Sequence, residues 1–345
     1  MNKTRVGIIN VTGYVGIELA RLLCRHPGVE LVSVTGRSAA GQKLGKVFPH
    51  LAGIDLTIEA KLGEADIVFS AMPHEESAKE VIPLLKKGKR VIDMSADFRL
   101  KDAADYPRWY KIEHMAPELL KEAVYGIPEL YRSKISGAQL VANPGCYPTC
   151  SILALAPAVK AGFIEPDIVI DAKSGVSGAG RSLKLGSLFS EVDEDVCAYS
   201  VDGHRHFPEI TQELGMMNSG EALKIIFVPH LMPMTRGMMS TCYAAVKSGK
   251  LSGKNIKEEI RKIYQDFYAG EEFVKVVDDP PHTKHVQGSN YCHVYPNYDQ
   301  RTGRLMVISV IDNLGKGAAS QGIQNMNVML GLAEKMGLDA PAMFP

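Results

Sequence analysis

Apolar positions in the first 145 residues gather into short continuous runs, separated by stretches with helical spacing. Residues 6–10, 31–35, 65–71 and 90–94 read as strands, and residues 16–25 and 75–87 as helices. Strands without alternation are apolar on both faces, as in a parallel sheet covered by helices on either side. Right-handed crossovers then predict a doubly wound, Rossmann-like α/β fold. From about residue 164 the texture changes. Residues 164–172, 223–229, 241–247, 273–277 and 304–312 read as strands joined by loops with few helices, which predicts a mixed α+β domain. Helical spacing returns over residues 318–336. A chain of 345 residues suits two such domains.

Charge narrows the partners. Thirty-nine basic residues balance thirty-nine acidic ones, so no global field gathers the chain onto nucleic acid or an anionic membrane. No apolar run approaches the eighteen or so residues of a membrane span. Lys3 and Arg5 precede an apolar run too short for the core of a signal peptide. The six cysteines are scattered rather than patterned, which fits reduced thiols in the cytoplasm. A cytoplasmic protein that binds neither nucleic acid nor membrane is the expectation.

The first strand runs into Asn10-Val11-Thr12-Gly13-Tyr14-Val15-Gly16 and then a helix. Gly13 and Gly16 hold the second and third places of a dinucleotide-type glycine spacing, with Asn10 in the first. Such a turn brings backbone amides to a pyrophosphate at the positive end of the helix. Asn tolerates the left-handed backbone that the first position needs. A tight strand-to-helix turn without a ligand is the alternative. The second strand ends in Thr35-Gly36-Arg37-Ser38, with no acid to hold a ribose diol. Arg37 and Ser38 suit a 2′-phosphate instead, which favours NADP over NAD.

In Val141-Ala142-Asn143-Pro144-Gly145-Cys146-Tyr147-Pro148-Thr149, an apolar strand meets a Pro-Gly turn and then a helix start. A thiol there sees the helix's positive end, which favours thiolate, and the same amides suit an oxyanion. Cys146 is therefore a candidate nucleophile, against the alternative of a packing cysteine. Cys150 follows by four residues. A nucleophile of this kind needs an acid/base partner, and His204-Arg205-His206-Phe207-Pro208-Glu209 offers two histidines on one face if extended. A zinc pair is the alternative, but no further ligand stands at matching spacing, so no metal is expected. Glu209 or a backbone carbonyl would orient the working ring. His74 ends a strand beside the expected cofactor crevice.

Taken in order, these segments resemble the N-acetyl-γ-glutamyl-phosphate reductases, a family related to aspartate-semialdehyde dehydrogenase. The resemblance rests on Gly13-Tyr14-Val15-Gly16, Asp93-Met94-Ser95-Ala96-Asp97-Phe98-Arg99, Tyr125-Gly126-Ile127-Pro128-Glu129 and Asn143-Pro144-Gly145-Cys146. It continues through Ser174-Gly175-Val176-Ser177-Gly178-Ala179-Gly180-Arg181, His204-Arg205-His206-Phe207-Pro208-Glu209 and Asp312-Asn313-Leu314-Gly315-Lys316-Gly317. Coverage is essentially full length. Asn10 departs from the usual glycine, and Phe207 stands where many relatives have a smaller polar residue.

The resemblance implies an NADP-binding Rossmann domain over residues 1–145, completed by a C-terminal helix within 313–345. Residues 146–312 would then form the catalytic and oligomerisation domain of a homodimer or homotetramer. It also implies NADPH-dependent reduction of an acyl phosphate to an aldehyde in arginine biosynthesis, through a thioester on Cys146. His206, with His204 as its rival, becomes the acid/base. Thr12, Gly13, Tyr14, Val15, Gly16, Arg37, Ser38, Ser177, Gly178 and Asn313 become cofactor contacts. Arg99 is the first choice for the substrate phosphate, because its fork donates two parallel bonds, and Arg181 is the second. Asn143 and Glu209 complete the substrate-side candidates. Two other readings stand beside this one: the same chemistry on a carrier-borne aminoadipyl or glutamyl phosphate, and a nucleotide-binding sensor without turnover.

Overall fold

Val6, Ile8, Ile67, Val68, Phe69, Val91 and Ile92 are all fully buried, so the central N-terminal strands are covered on both faces. The computed structural model describes residues 3–251, 253 and 255–345. It divides into two compact units, Met1–Pro144 with Ala318–Ala340, and Gly145–Gly317 with Pro341–Pro345.

The first unit holds a seven-stranded sheet of β1 (Thr4–Ile9), β2 (Val29–Thr35), β3 (Ile58–Glu59), β4 (Ile67–Ser70), β5 (Arg90–Asp93), β6 (Val124–Tyr125) and β7 (Leu140–Ala142). The strand order is β3-β2-β1-β4-β5-β7-β6, and every pairing is parallel. The order reverses on either side of β1 and β4, which opens a crevice at the carboxyl ends of those strands. Helix α1 (Tyr14–Leu23) follows β1, and helix α2 (Ser77–Lys86) follows β4. Asp97 takes the backbone N–H groups of Glu75 and Ala78 at the start of α2. The Asp93 carboxylate is bonded to the hydroxyls of Ser77 and Ser95. Its burial, then the charge of Asp97, raise its pKa to about 6. Much of the acidic 93–99 segment is thus framework.

The second unit contains a mixed sheet of β8 (Ile164–Gly175), β9 (Cys197–Ala198), β10 (Lys224–Met232), β11 (Met238–Val246), β12 (Val274–Val276), β13 (Cys292–Asp299) and β14 (Arg304–Ile311). Its order is β12-β13-β14-β11-β8-β10-β9. Helices α3 (Cys146–Ala161), α4 (Phe207–Met217) and α5 (Ile256–Phe267) belong to this unit. Helix α3 is buried on every side from Tyr147 to Val159, which makes it the unit's centre.

Three expectations need correction. The C-terminal helix runs Ser320–Leu330 and stops at Gly331 in the left-handed conformation, short of residue 336. Strand β13 was not predicted, because Pro296 sits inside it. Pairing with β12 covers only Cys292 to Val294, so the proline's missing N–H falls beyond the neighbour's end. Helix α5 also lies in a stretch expected to hold strands and loops. It is strongly amphipathic, with a charged surface face and with Ile260 and Tyr264 buried.

Candidate functional site

Helix α3 starts at Cys146, with Gly145 as its N-cap in an extended conformation and no side-chain cap. The first amides of a helix have no partner within it, so Cys146 stands among unpaired donors at the positive end. Gly145 itself is fixed by its N–H, which donates to Oε2 of Glu209 at 3.1 Å. Glu209 is fully buried on the first turn of α4. The bareness of Gly145 is required: a Cβ there would lie 2.6 Å from Nε2 of His206 and 2.8 Å from its Cε1. The His206 imidazole therefore lies directly against the residue that precedes Cys146. Gly317 serves the other side, since a Cβ at that position would stand 2.8 Å from Cβ of Cys146.

The two histidines lie outside any strand, so the extended arrangement is not the one present. His206 has a helical backbone (φ −85°, ψ −11°), and its N–H donates to Nδ1 of His204 at 3.0 Å. Their ring centroids are 4.8 Å apart. His204 meets the rings of Tyr147, Tyr199 and Phe227 edge-on at 5.5 to 5.6 Å. Burial, with the charge of Arg205 adding to it, pushes its pKa down to about 4. A neutral ring that accepts at Nδ1 carries its proton on Nε2. His204 is thus fixed as a neutral wedge, and the His206 ring stands beside it against Gly145. Tyr147, which the sequence reading left out, ties the group together. Its hydroxyl donates to the carbonyl of His230 and accepts from Tyr199.

Other predicted residues sort into two sets. In the second unit, Asn313 Nδ2 donates to Ser177 Oγ at 2.9 Å, and its Oδ1 accepts from the N–H of Gly237. Ser174 Oγ lies 3.0 Å from where a Gly178 Cβ would be, so Gly178 closes this cluster. Arg181 is exposed just beyond it. In the first unit, Arg99 is only 6% exposed. Its Nε donates to the carbonyl of Asn143 and its Nη2 to that of Met94. Asn143 donates to the Ala318 carbonyl and accepts from Asn325. Both hold the end of β7 in place.

A cleft of about 680 Å³ in the first unit is lined by Asn10, Thr12, Thr35, Gly36, Arg37, Ser38, Met72, Pro73 and Glu76. Asn10 adopts the left-handed conformation (φ 63°) that a glycine would otherwise supply. Its side chain donates to the Ala71 carbonyl and accepts from the Thr12 hydroxyl, tying the β1 and β4 ends together. A Cβ on Gly16 would come 2.5 Å from the Asn10 carbonyl oxygen, so that glycine serves helix-on-strand packing. A Cβ on Gly13 would meet only Asn10 Nδ2, at 3.7 Å. Gly13 caps α1 without a side-chain bond, which leaves its amides to a ligand. Tyr14 and Val15 begin the helix there. Arg37 is 73% exposed at the rim and pairs with Glu76 at 2.7 Å, so a cation is already held at the mouth. Glu76 was not anticipated, since only the folded chain brings it to Arg37.

Among known proteins, two family models match. Semialdehyde dehydrogenase, NAD binding domain, matches residues 5–138, and Semialdehyde dehydrogenase, dimerisation domain, matches residues 146–313. A curated N-acetyl-gamma-glutamyl-phosphate reductase of Dehalococcoides mccartyi is 57% identical over the full length of both chains. Another, of Pelotomaculum thermopropionicum, is 51% identical over 99% of each. Among solved structures, aspartate semialdehyde dehydrogenase with NADP from Candida albicans aligns with a TM-score of 0.71 at 16% identity, covering 97% of this chain and 100% of that one. Aspartate semialdehyde dehydrogenase II from Vibrio cholerae gives 0.70 at 16%, covering 96% and 99%. These structures share the fold.

The depressed pKa of His204 predicts a signed effect of pH on stability. Above pH 6.5 the ring is neutral in both folded and unfolded chains and contributes nothing to pH dependence. As pH falls from 6.5 towards 4 only the unfolded chain takes up the proton, so stability is lost, by up to about 3 kcal/mol. Denaturant unfolding across that range should show a shallower pH slope for His204→Gln than for the parent. Identical slopes would show that His204 titrates as in the unfolded chain.

Proposed function

The chain belongs to the N-acetyl-γ-glutamyl-phosphate reductase family, and from that premise we propose that it reduces N-acetylglutamyl 5-phosphate to the 5-semialdehyde, with release of phosphate, in arginine biosynthesis. The observation that carries this reading is His206 lying against Gly145, immediately before a cysteine at the start of a buried helix. An acyl phosphate needs no metal to be attacked by a thiolate, only a nucleophile, a proton carrier and a place for the oxyanion.

Cys146 attacks the acyl carbon as thiolate, favoured by the helix end. The amides at the start of α3 hold the tetrahedral oxyanion while the carbon–oxygen bond to phosphate breaks, leaving a thioester. NADPH, when bound, would supply the hydride that takes such a thioester to the aldehyde level. The resulting thiohemiacetal collapses, Cys146 leaves, and His206 moves the proton. His204 holds the His206 backbone in place, and Glu209 holds Gly145. Arg181 is the exposed cation that we assign to the substrate phosphate.

NADP(H) fits the residues present. Thr12, Gly13, Tyr14, Val15 and Gly16 form the turn and helix start for the pyrophosphate, and Arg37 with Ser38 faces a 2′-phosphate at the cleft. The phosphate would displace Glu76 as the partner of Arg37. Ser177, Gly178 and Asn313 are assigned to the nicotinamide end. The chain works as a homodimer or homotetramer built through residues 146–313, in the cytoplasm. No helix among the described residues is long and apolar enough to cross a membrane, and the described cysteines are joined by no disulfide, which supports that location.

Run in reverse, the protein should reduce NADP⁺ with N-acetylglutamate semialdehyde only when inorganic phosphate is present. Protein that binds NADPH yet is silent with this aldehyde, and active only when it is attached to a carrier, would contradict the substrate. Arg37→Asp should lower the preference for NADP⁺ over NAD⁺ by tenfold or more, roughly the worth of one charge-assisted bond. An unchanged ratio of kcat/KM values would show that another residue reads the 2′-phosphate.

A further inference from the structure

Between Gly180 and Val201, in the second unit, the chain turns apolar side chains outward. Leu183 is 94% exposed, Phe189 81% and Leu185 71%, and Val196 and Val201 are each more than half exposed. Single apolar side chains are common on a surface, but so dense a run marks a face that is covered by something. The arm does not hang free. It departs just after Ser177, which Asn313 holds, and returns as β9, paired with the edge strand β10 through Ala198 with His230 and Cys197 with Leu231. His204 follows directly. Both roots of the arm therefore lie among residues of the proposed site.

Its charges are segregated. Arg181 and Lys184 stand exposed at the start, while Glu191, Asp193, Glu194 and Asp195 stand exposed towards the end. Leu185, Leu188 and Phe189 lie between them. A two-fold axis through this apolar middle would set the basic start of one arm against the acidic end of another, twice over, as an isologous contact requires. An unrelated partner has no need of such a palindrome. We propose that the 181–201 arm of one copy packs antiparallel on the same arm of a second copy, with Phe189 and Leu185 buried at the axis and Lys184 facing the acidic cluster of its partner. This rests on the oligomeric reading given above and names the surface that serves it. It also makes the partner copy a support for the two site segments at the arm's roots.

Sedimentation velocity on the full chain tests the assignment. Leu185→Glu/Phe189→Glu should halve the mass of the assembly, with far-UV circular dichroism unchanged. Lys184→Glu should weaken association about tenfold, and adding Glu191→Lys to the same chain should restore it. An assembly of unaltered mass in the double-glutamate variant would overturn the proposal, while the family's oligomeric reading would stand through another face. Should that variant fail to fold, hydrogen exchange of the parent on dilution decides. Protection of amides 183–196 lost as the assembly dissociates supports the arm contact, and protection that does not change with dissociation refutes it.

Discussion

The geometry of the site depends on the contact between an imidazole and a glycine. Nε2 of His206 occupies the space where any side chain at position 145 would begin. Because Gly145 is also the N-cap of α3, this contact ties the ring to the start of the helix that opens with Cys146. Two neighbours keep it from relaxing. The buried carboxylate of Glu209 takes the Gly145 N–H from one side, and the edge-packed His204 takes the His206 N–H from the other. Glu209 and His204 thus fix the backbone on either side of the contact, at Gly145 and at His206.

A similar economy operates at the C-terminal end of β14. Asp312 is fully buried and holds the guanidinium of Arg236 together with the N–H groups of Gly288, Leu314 and Gly315. A buried carboxylate is costly unless its lone pairs are satisfied, and these donors satisfy it. The turn it organises presents Gly317 to Cys146, and Asn313 to Ser177. Gly145 and Gly317 are thus each kept bare by a close neighbour, the His206 ring at the first and Cβ of Cys146 at the second.

Much of this was legible in the chain. Continuous apolar runs alternating with helical spacing were enough to anticipate the parallel sheet, and the Pro-Gly turn before Cys146 was enough to mark a helix start with a thiol on it. Asn10 was legible too, since its left-handed backbone is the one that the missing first glycine implies. What stayed hidden depends on three-dimensional neighbours. Which of the two rings lies against Gly145 is seen only in the fold, because two rings at spacing two look alike in sequence. The bonds of Arg99 to the Asn143 and Met94 carbonyls likewise depend on neighbours distant in sequence or turned back by the fold. Strand β13 was masked by Pro296, whose tolerance depends on where the neighbouring strand ends.

The central claim is that Cys146 forms the covalent intermediate and that His206 serves it. Mixing the protein with N-acetylglutamyl phosphate in the absence of NADPH, then quenching in acid and mapping peptides by mass, tests this directly. The account predicts one acyl group, on Cys146, labile to hydroxylamine and absent in Cys146→Ser, with His206→Asn still acylated but slower than the parent to release aldehyde once NADPH is added. An acyl group on another residue, or full turnover by Cys146→Ser, would contradict it.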